Sequence, residues 1–103
     1  MDEMQKEQNI NQLIRTNHLV AIYAYTPLCG TCQLAGKMVD VVEKVDNGFI
    51  WARMDVNYHE SFAIHHAIES VPCLLIFKEG ELKEKIYAFQ SVPHIYEKLS
   101  QYT

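Results

Sequence analysis

Glycine and proline are scarce in this chain, four and three in 103 residues, and no tract is biased or repeated. That excludes a low-complexity arm or a solenoid, so the whole length is expected to fold. With 49% of the residues apolar, residues 1–103 suit one compact domain around a single core. Positive charge is short as well: nine basic residues stand against thirteen acidic ones, for a formal charge of −4. The basic side chains are also scattered from Lys6 to Lys98, so no nucleic-acid partner is expected. Long apolar runs are missing, and the first residues, Met1-Asp2-Glu3-Met4-Gln5-Lys6-Glu7-Gln8, are polar where a secretory leader is apolar. A soluble, non-secreted, cytoplasmic protein with no membrane partner is the expectation.

Cysteine is sparse too, and its number is odd: Cys29, Cys32 and Cys73. That is a poor framework for a disulfide-stapled secreted domain. A bond between Cys29 and Cys32 would close a loop of only Gly30 and Thr31 and remove little entropy from the unfolded chain. Its chemistry is the better reason for its presence.

What the sequence does hold is a clear alternation of elements. Ile10, Leu13 and Ile14 lie on one face of an amphipathic helix over residues 4–16. Leu19 to Tyr25 is apolar on both faces and short, the pattern of a doubly covered central strand. Thr26-Pro27-Leu28 ends it. After Cys29 the recurrence of Leu34, Met38, Val41, Val42 and Val45 predicts a helix, closed by turn chemistry at Asp46-Asn47-Gly48. Phe49 to Val56 reads as a second buried strand, which makes a βαβ unit with a parallel pair and a right-handed crossover. Tyr58 to Glu69 reads as a short helix with Phe62, Ala63, Ala67 and Ile68 inward. Cys73 to Phe77 and Leu82 to Phe89 read as antiparallel strands around a Lys78-Glu79-Gly80-Glu81 turn. Val92 to Tyr102 closes the chain as a helix, with Pro93 near its start.

Chemistry concentrates at Cys29-Gly30-Thr31-Cys32, on the strand-to-helix junction. A helix N-terminus offers free N–H groups and a positive dipole end, both of which favour a thiolate at the first sulfur. Such a thiol ionises well below its ordinary value of about 8.5, and only the thiolate attacks a disulfide. Cys29 is therefore the attacking thiol; Cys32, one turn on and further inside, would resolve the mixed disulfide. Two bland readings stand beside this one, namely two small buried residues or half of a zinc site. The βαβ setting favours the redox role.

Cys29-Gly30-Thr31-Cys32, Val71-Pro72 and Phe77-Lys78-Glu79-Gly80-Glu81 together, at this relative spacing, resemble thioredoxins over about residues 19–102. The resemblance implies an α/β, three-layer thioredoxin-like fold, a mixed sheet flanked by helices. It also implies that Val71-Pro72 is a cis pair beside the sulfurs, whose main chain pairs with an extended substrate segment. Leu28, Gly30, Thr31, Val71 and Pro72 are the implied substrate-binding residues. Implied partners are protein disulfides and a recycling reductase or low-molecular-weight thiol, with no cofactor and no metal.

The departures are as specific. Leu28 stands where thioredoxins usually carry Trp, Thr31 where they carry Pro between the cysteines, and Ala88 where they carry a glycine, which implies a narrower groove. Tyr23 stands where they place a buried acid, and a phenol near 10 is a poor base at neutral pH. Residues 1–16 read as helix only, so a four-stranded sheet lacking the first strand of thioredoxins is expected. Arg53, Asp55 and Asn57 read as a solvated strand end, and His59, His65 and His66 as surface histidines. Cys73 reads as a buried strand cysteine, with an approach to Cys29 as the alternative. Three functions remain open at this point: a reductase of protein disulfides, a metal or iron–sulfur site on Cys29, Cys32 and Cys73, and a non-catalytic interaction module.

Overall fold

A computed structural model of the chain describes residues 1–45 and 48–103. Its sheet has the strand order β1-β3-β2-β4-β5, from β1 (Asp2–Glu3), β2 (Leu19–Tyr25), β3 (Ile50–Asp55), β4 (Cys73–Lys78) and β5 (Glu81–Ile86). The βαβ unit is present: β2 and β3 run parallel, joined through α2 (Gly30–Val45). β4 pairs antiparallel with β2, and β5 antiparallel with β4. The loop between the last two strands holds φ of 52° at Glu79 and 81° at Gly80. Two central residues in that region match the twist of the strands they join, which is why Gly80 falls where it does.

Side chains of β2 alternate between two apolar layers. Leu19, Ala21 and Tyr23 meet Ala35, Val39 and Val42 of α2 and Ile95 and Leu99 of α4 (Val92–Ser100). Val20, Ile22 and Ala24 meet Ile10 and Ile14 of α1 (Glu7–Thr16) and Phe62 of α3 (Glu60–His65). Covering both faces makes three layers and explains a strand with no polar position. α1 has no side-chain bond at its N-cap, Lys6, and buries Ile10 and Ile14 instead. Burying two such residues contributes about 1.5–3 kcal/mol each, more than the ~1 kcal/mol of a good cap. α4 does carry a cap, with the His94 N–H donating to Ser91 Oγ at 3.2 Å.

Among the described residues the sheet has five strands where four were expected. β1 is two exposed polar residues, Asp2 and Glu3, so no apolar alternation could mark it. Tertiary partners hold it beside β3: Met4 N–H donates to the Arg53 carbonyl at 2.8 Å, and the Glu3 carboxylate takes Tyr25 Oη at 2.8 Å and pairs with Arg53 Nε at 3.2 Å.

The helix expected over 58–69 is also shorter. A 3-10 turn, Val56–Tyr58, precedes α3, which stops at His65. Ala67 takes φ of 53°, and Ile68 N–H reaches back to the Ala63 carbonyl at 2.9 Å. This is the helix stop that normally carries glycine, and an alanine there carries no signal for it. Lys85 Nζ donates to the freed carbonyls of His66 and Ala67 at 3.0 and 2.8 Å. Ala67 is exposed, not inward.

Two polar residues expected at the surface are buried. His59 is 2% exposed, with Nε2 at 2.8 Å from the Met4 carbonyl; Asp55 is 7% exposed and accepts the Asn57 N–H at 3.0 Å. On α2, Leu34, Val41 and Val45 face solvent, while Cys32, Ala35, Val39 and Val42 turn inward. Asp46 and Asn47 of the expected closing turn lie outside the described residues.

Candidate active site

β2 ends at Tyr25, the chain turns through Thr26-Pro27-Leu28, and Cys29 N–H closes that turn on the Thr26 carbonyl at 3.3 Å. α2 begins at the next residue, so Cys29 stands at the helix N-cap, where first-turn N–H groups lack helical partners. Cys32 N–H uses the cysteine for that purpose and donates to Cys29 Sγ at 3.1 Å, with Thr31 Oγ1 at 3.3 Å from the same sulfur. Cys29 and Cys32 are joined as a disulfide, their Cα atoms 5.2 Å apart. Cys29 is partly exposed and Cys32 only 4% so. Opening the bond would leave charge at Cys29 under two donors and a helix dipole.

The residues implied as substrate-binding surround this pair unequally. The Val71–Pro72 peptide bond is cis. Pro72 and Thr31 share a groove of about 420 Å³ whose walls include Leu34, Met38, Tyr87 and Gln90. Leu28 points into solvent, 99% exposed, and neither it, Gly30 nor Val71 lines the groove. Ala88, expected to narrow it, is absent from its walls. Leu34, Met38, Tyr87 and Gln90 are groove residues that sequence reasoning did not assign to the site, and Gln90 is the least legible of them. It holds φ of 60° in a tight turn closed by Ser91 N–H on the Phe89 carbonyl, and an ordinary glutamine between Phe and Ser carries no signal for that.

Tyr23 lies under the helix, 1% exposed, and its hydroxyl donates to the Cys32 carbonyl. Burial, with smaller contributions from Asp40 and Tyr25 against Arg53, pushes its phenol up to about 12. At neutral pH it keeps its proton.

Cys73 is free, fully buried, and packed among the side chains on the α1 and α3 side of the sheet, opposite α2. Burial pushes its thiol up to about 11, against a weaker lowering by Tyr87 and Lys85. The three cysteines are therefore not assembled as one ligand set. Among the described residues no three His, Cys, Asp or Glu side chains come together to hold a metal ion, and no helix is long and apolar enough to cross a membrane.

Comparison with known proteins agrees with this geometry. A thioredoxin-like protein, YusE of Bacillus subtilis, is 49% identical over 80 residues, covering 78% of this chain and 76% of its own. The thioredoxin of Mycoplasmoides gallisepticum is 24% identical over 89 residues, covering 86% of this chain and 89% of its own. Among solved structures, a Plasmodium falciparum thioredoxin superposes with a TM-score of 0.90 at 16% identity, each chain covered in full at 100%. A mutant thioredoxin from Halobacterium salinarum gives 0.89 at 22% identity, covering 99% of this chain and 89% of its own. The thioredoxin family profile matches residues 2–101, and with the cysteine pair at disulfide distance on the head of α2, whose general chemistry is thiol–disulfide exchange, the chain belongs to the thioredoxin family.

Proposed function

We propose that this protein, acting as one domain, reduces protein disulfides, with Cys29 as the attacking thiol and Cys32 as the resolving one. The observation that carries the reading is the asymmetry of the pair: Cys29 is partly exposed and receives the Cys32 N–H at 3.1 Å, whereas Cys32 is 4% exposed behind it. Cys29 thiolate displaces one substrate sulfur as a thiolate and takes the other into a mixed disulfide. Cys32 then loses its proton and attacks Cys29 Sγ, which releases the second substrate sulfur and leaves the intramolecular disulfide. Substrate lies along Pro72 and Thr31, with Leu28, Gly30 and Val71 as the outer contacts. A reductase or low-molecular-weight thiol restores the dithiol. A reducing compartment such as the cytoplasm suits a free Cys73.

Insulin reduction with dithiothreitol as electron donor tests the activity directly. Turbidity should develop well ahead of a no-protein control, and a rate equal to that control would leave an interaction module as the better reading. A second measurement tests the roles. In the reduced protein, alkylation near pH 7 should modify Cys29 first, roughly tenfold or more ahead of Cys32, because only the thiolate reacts. Cys73, buried with its thiol pushed up to about 11, should react last. Equal labelling of Cys29 and Cys73 would overturn the helix-terminus account.

A further inference from the structure

Tyr23 is a buried polar group that the exchange chemistry above does not use. Its ring stands on the central strand, stacked on Tyr25 with centroids 5.9 Å apart and edge-on to Phe89 at 5.9 Å. On its third side it meets Gly36, where an added Cβ would sit 3.6 Å from the Tyr23 hydroxyl. Gly36 packs against the phenol at ordinary contact distance, and the hydroxyl reaches the Cys32 carbonyl, the acceptor that a regular helical ladder assigns to the Gly36 N–H. The phenol thus adds a second donor, from a different element, to the peptide of the inner cysteine.

We propose that Tyr23 is a positioning residue for the resolving step: its hydroxyl ties the Cys32 peptide to the central strand and holds Cys32 Sγ toward Cys29 Sγ. The inference rests on the assignment of Cys32 as resolving thiol. Tyr23 cannot also be the proton acceptor of that step, because its own proton is committed to the carbonyl. The charged and titratable groups acting on it, Asp40 of α2, Arg53 of β3 and Tyr25 of β2, do not bring it to ionise at neutral pH. The Cys32 proton passes to solvent when the thiol ionises.

The aromatic disulfide 5,5′-dithiobis(2-nitrobenzoate) separates the two steps in the reduced protein. Attack by Cys29 releases one coloured thiolate and leaves the other half as a mixed disulfide. Attack by Cys32 then releases the second thiolate and forms the Cys29–Cys32 bond. Tyr23→Phe, which removes only the hydroxyl, should slow the second release about five- to tenfold, the worth of one buried hydrogen bond, and leave the first within about twofold. Gly36→Val keeps the phenol but crowds its hydroxyl, and should slow the second release in the same way; it decides the matter alone if Tyr23→Phe does not fold. A second release within about twofold of the parent, or equal slowing of both phases, overturns the positioning role. A parent protein that gives no second release overturns instead the assignment of Cys32.

Discussion

Cys32→Ser is expected to convert the protein into a covalent trap. Once Cys29 has attacked, the mixed disulfide is relieved only by a neighbouring thiol, and serine cannot supply one. The adduct should persist and be recoverable from a cell extract under non-reducing conditions, roughly tenfold or more above the parent protein. Cys29→Ser should capture almost nothing, because Cys32 is 4% exposed and its own N–H points at the sulfur position of residue 29. Equal capture by the two variants would overturn the assignment of roles. Cys73 could have complicated this experiment by resolving the adduct itself. It faces the α1 and α3 layer, with the sheet between it and α2, so the single Cys32→Ser substitution should suffice. If trapping needed the additional Cys73→Ser change, that placement would be wrong in solution.

The parts of this molecule that were legible in the sequence are those set by local chemistry. A run apolar on both faces marked β2, Glu79-Gly80 marked the hairpin, and a cysteine pair at a strand-to-helix junction marked the reactive centre. The parts that were not legible depend on groups far away in the chain. β1 is two polar residues held by Arg53 and Tyr25; α3 ends at His65 in a left-handed turn at Ala67 whose freed carbonyls Lys85 takes up; His59 is buried with Nε2 on the Met4 carbonyl. Helical spacing found α2, and Met38 and Val42 of its periodic row do pack on the core, but spacing could not fix the rotation of the rest. Leu34, Val41 and Val45 fit a 3.6-residue period as well as the true inner row of Cys32, Ala35, Val39 and Val42, and only packing against the sheet chooses between the rows. Around the cysteines the same division holds. The family pattern pointed to Pro72 and Thr31, which do share a groove, but Gln90 owes its place there to backbone geometry that its sequence neighbours do not encode.

Tyr23→Asp should lower stability by about 3–5 kcal/mol, as expected when a buried ring is cut back and a carboxyl is left in its place. The loss should depend on pH with a definite sign. Burial raises a carboxyl above its unfolded value, so the folded state holds the proton more tightly than the unfolded one. Stability is then retained at pH below the unfolded value and lost as pH rises through the folded value. Urea melts at pH 5 and pH 8 should therefore diverge in the variant far more than in the parent, with the variant weaker at pH 8. The rate consequence is separable, because Tyr23→Phe and Tyr23→Asp both lose the bond to the Cys32 carbonyl and only one gains a base. In whatever fraction of Tyr23→Asp folds, the second thiolate should be released roughly a hundredfold faster than from Tyr23→Phe at pH 8, at the lower end of what a positioned general base supplies. The gain should shrink at pH 5 as the carboxyl takes up its proton. Identical second-phase rates in the two variants at pH 8 would mean that deprotonation of Cys32 does not limit resolution. Tyr23 would then matter to this site only as the anchor of the Cys32 peptide.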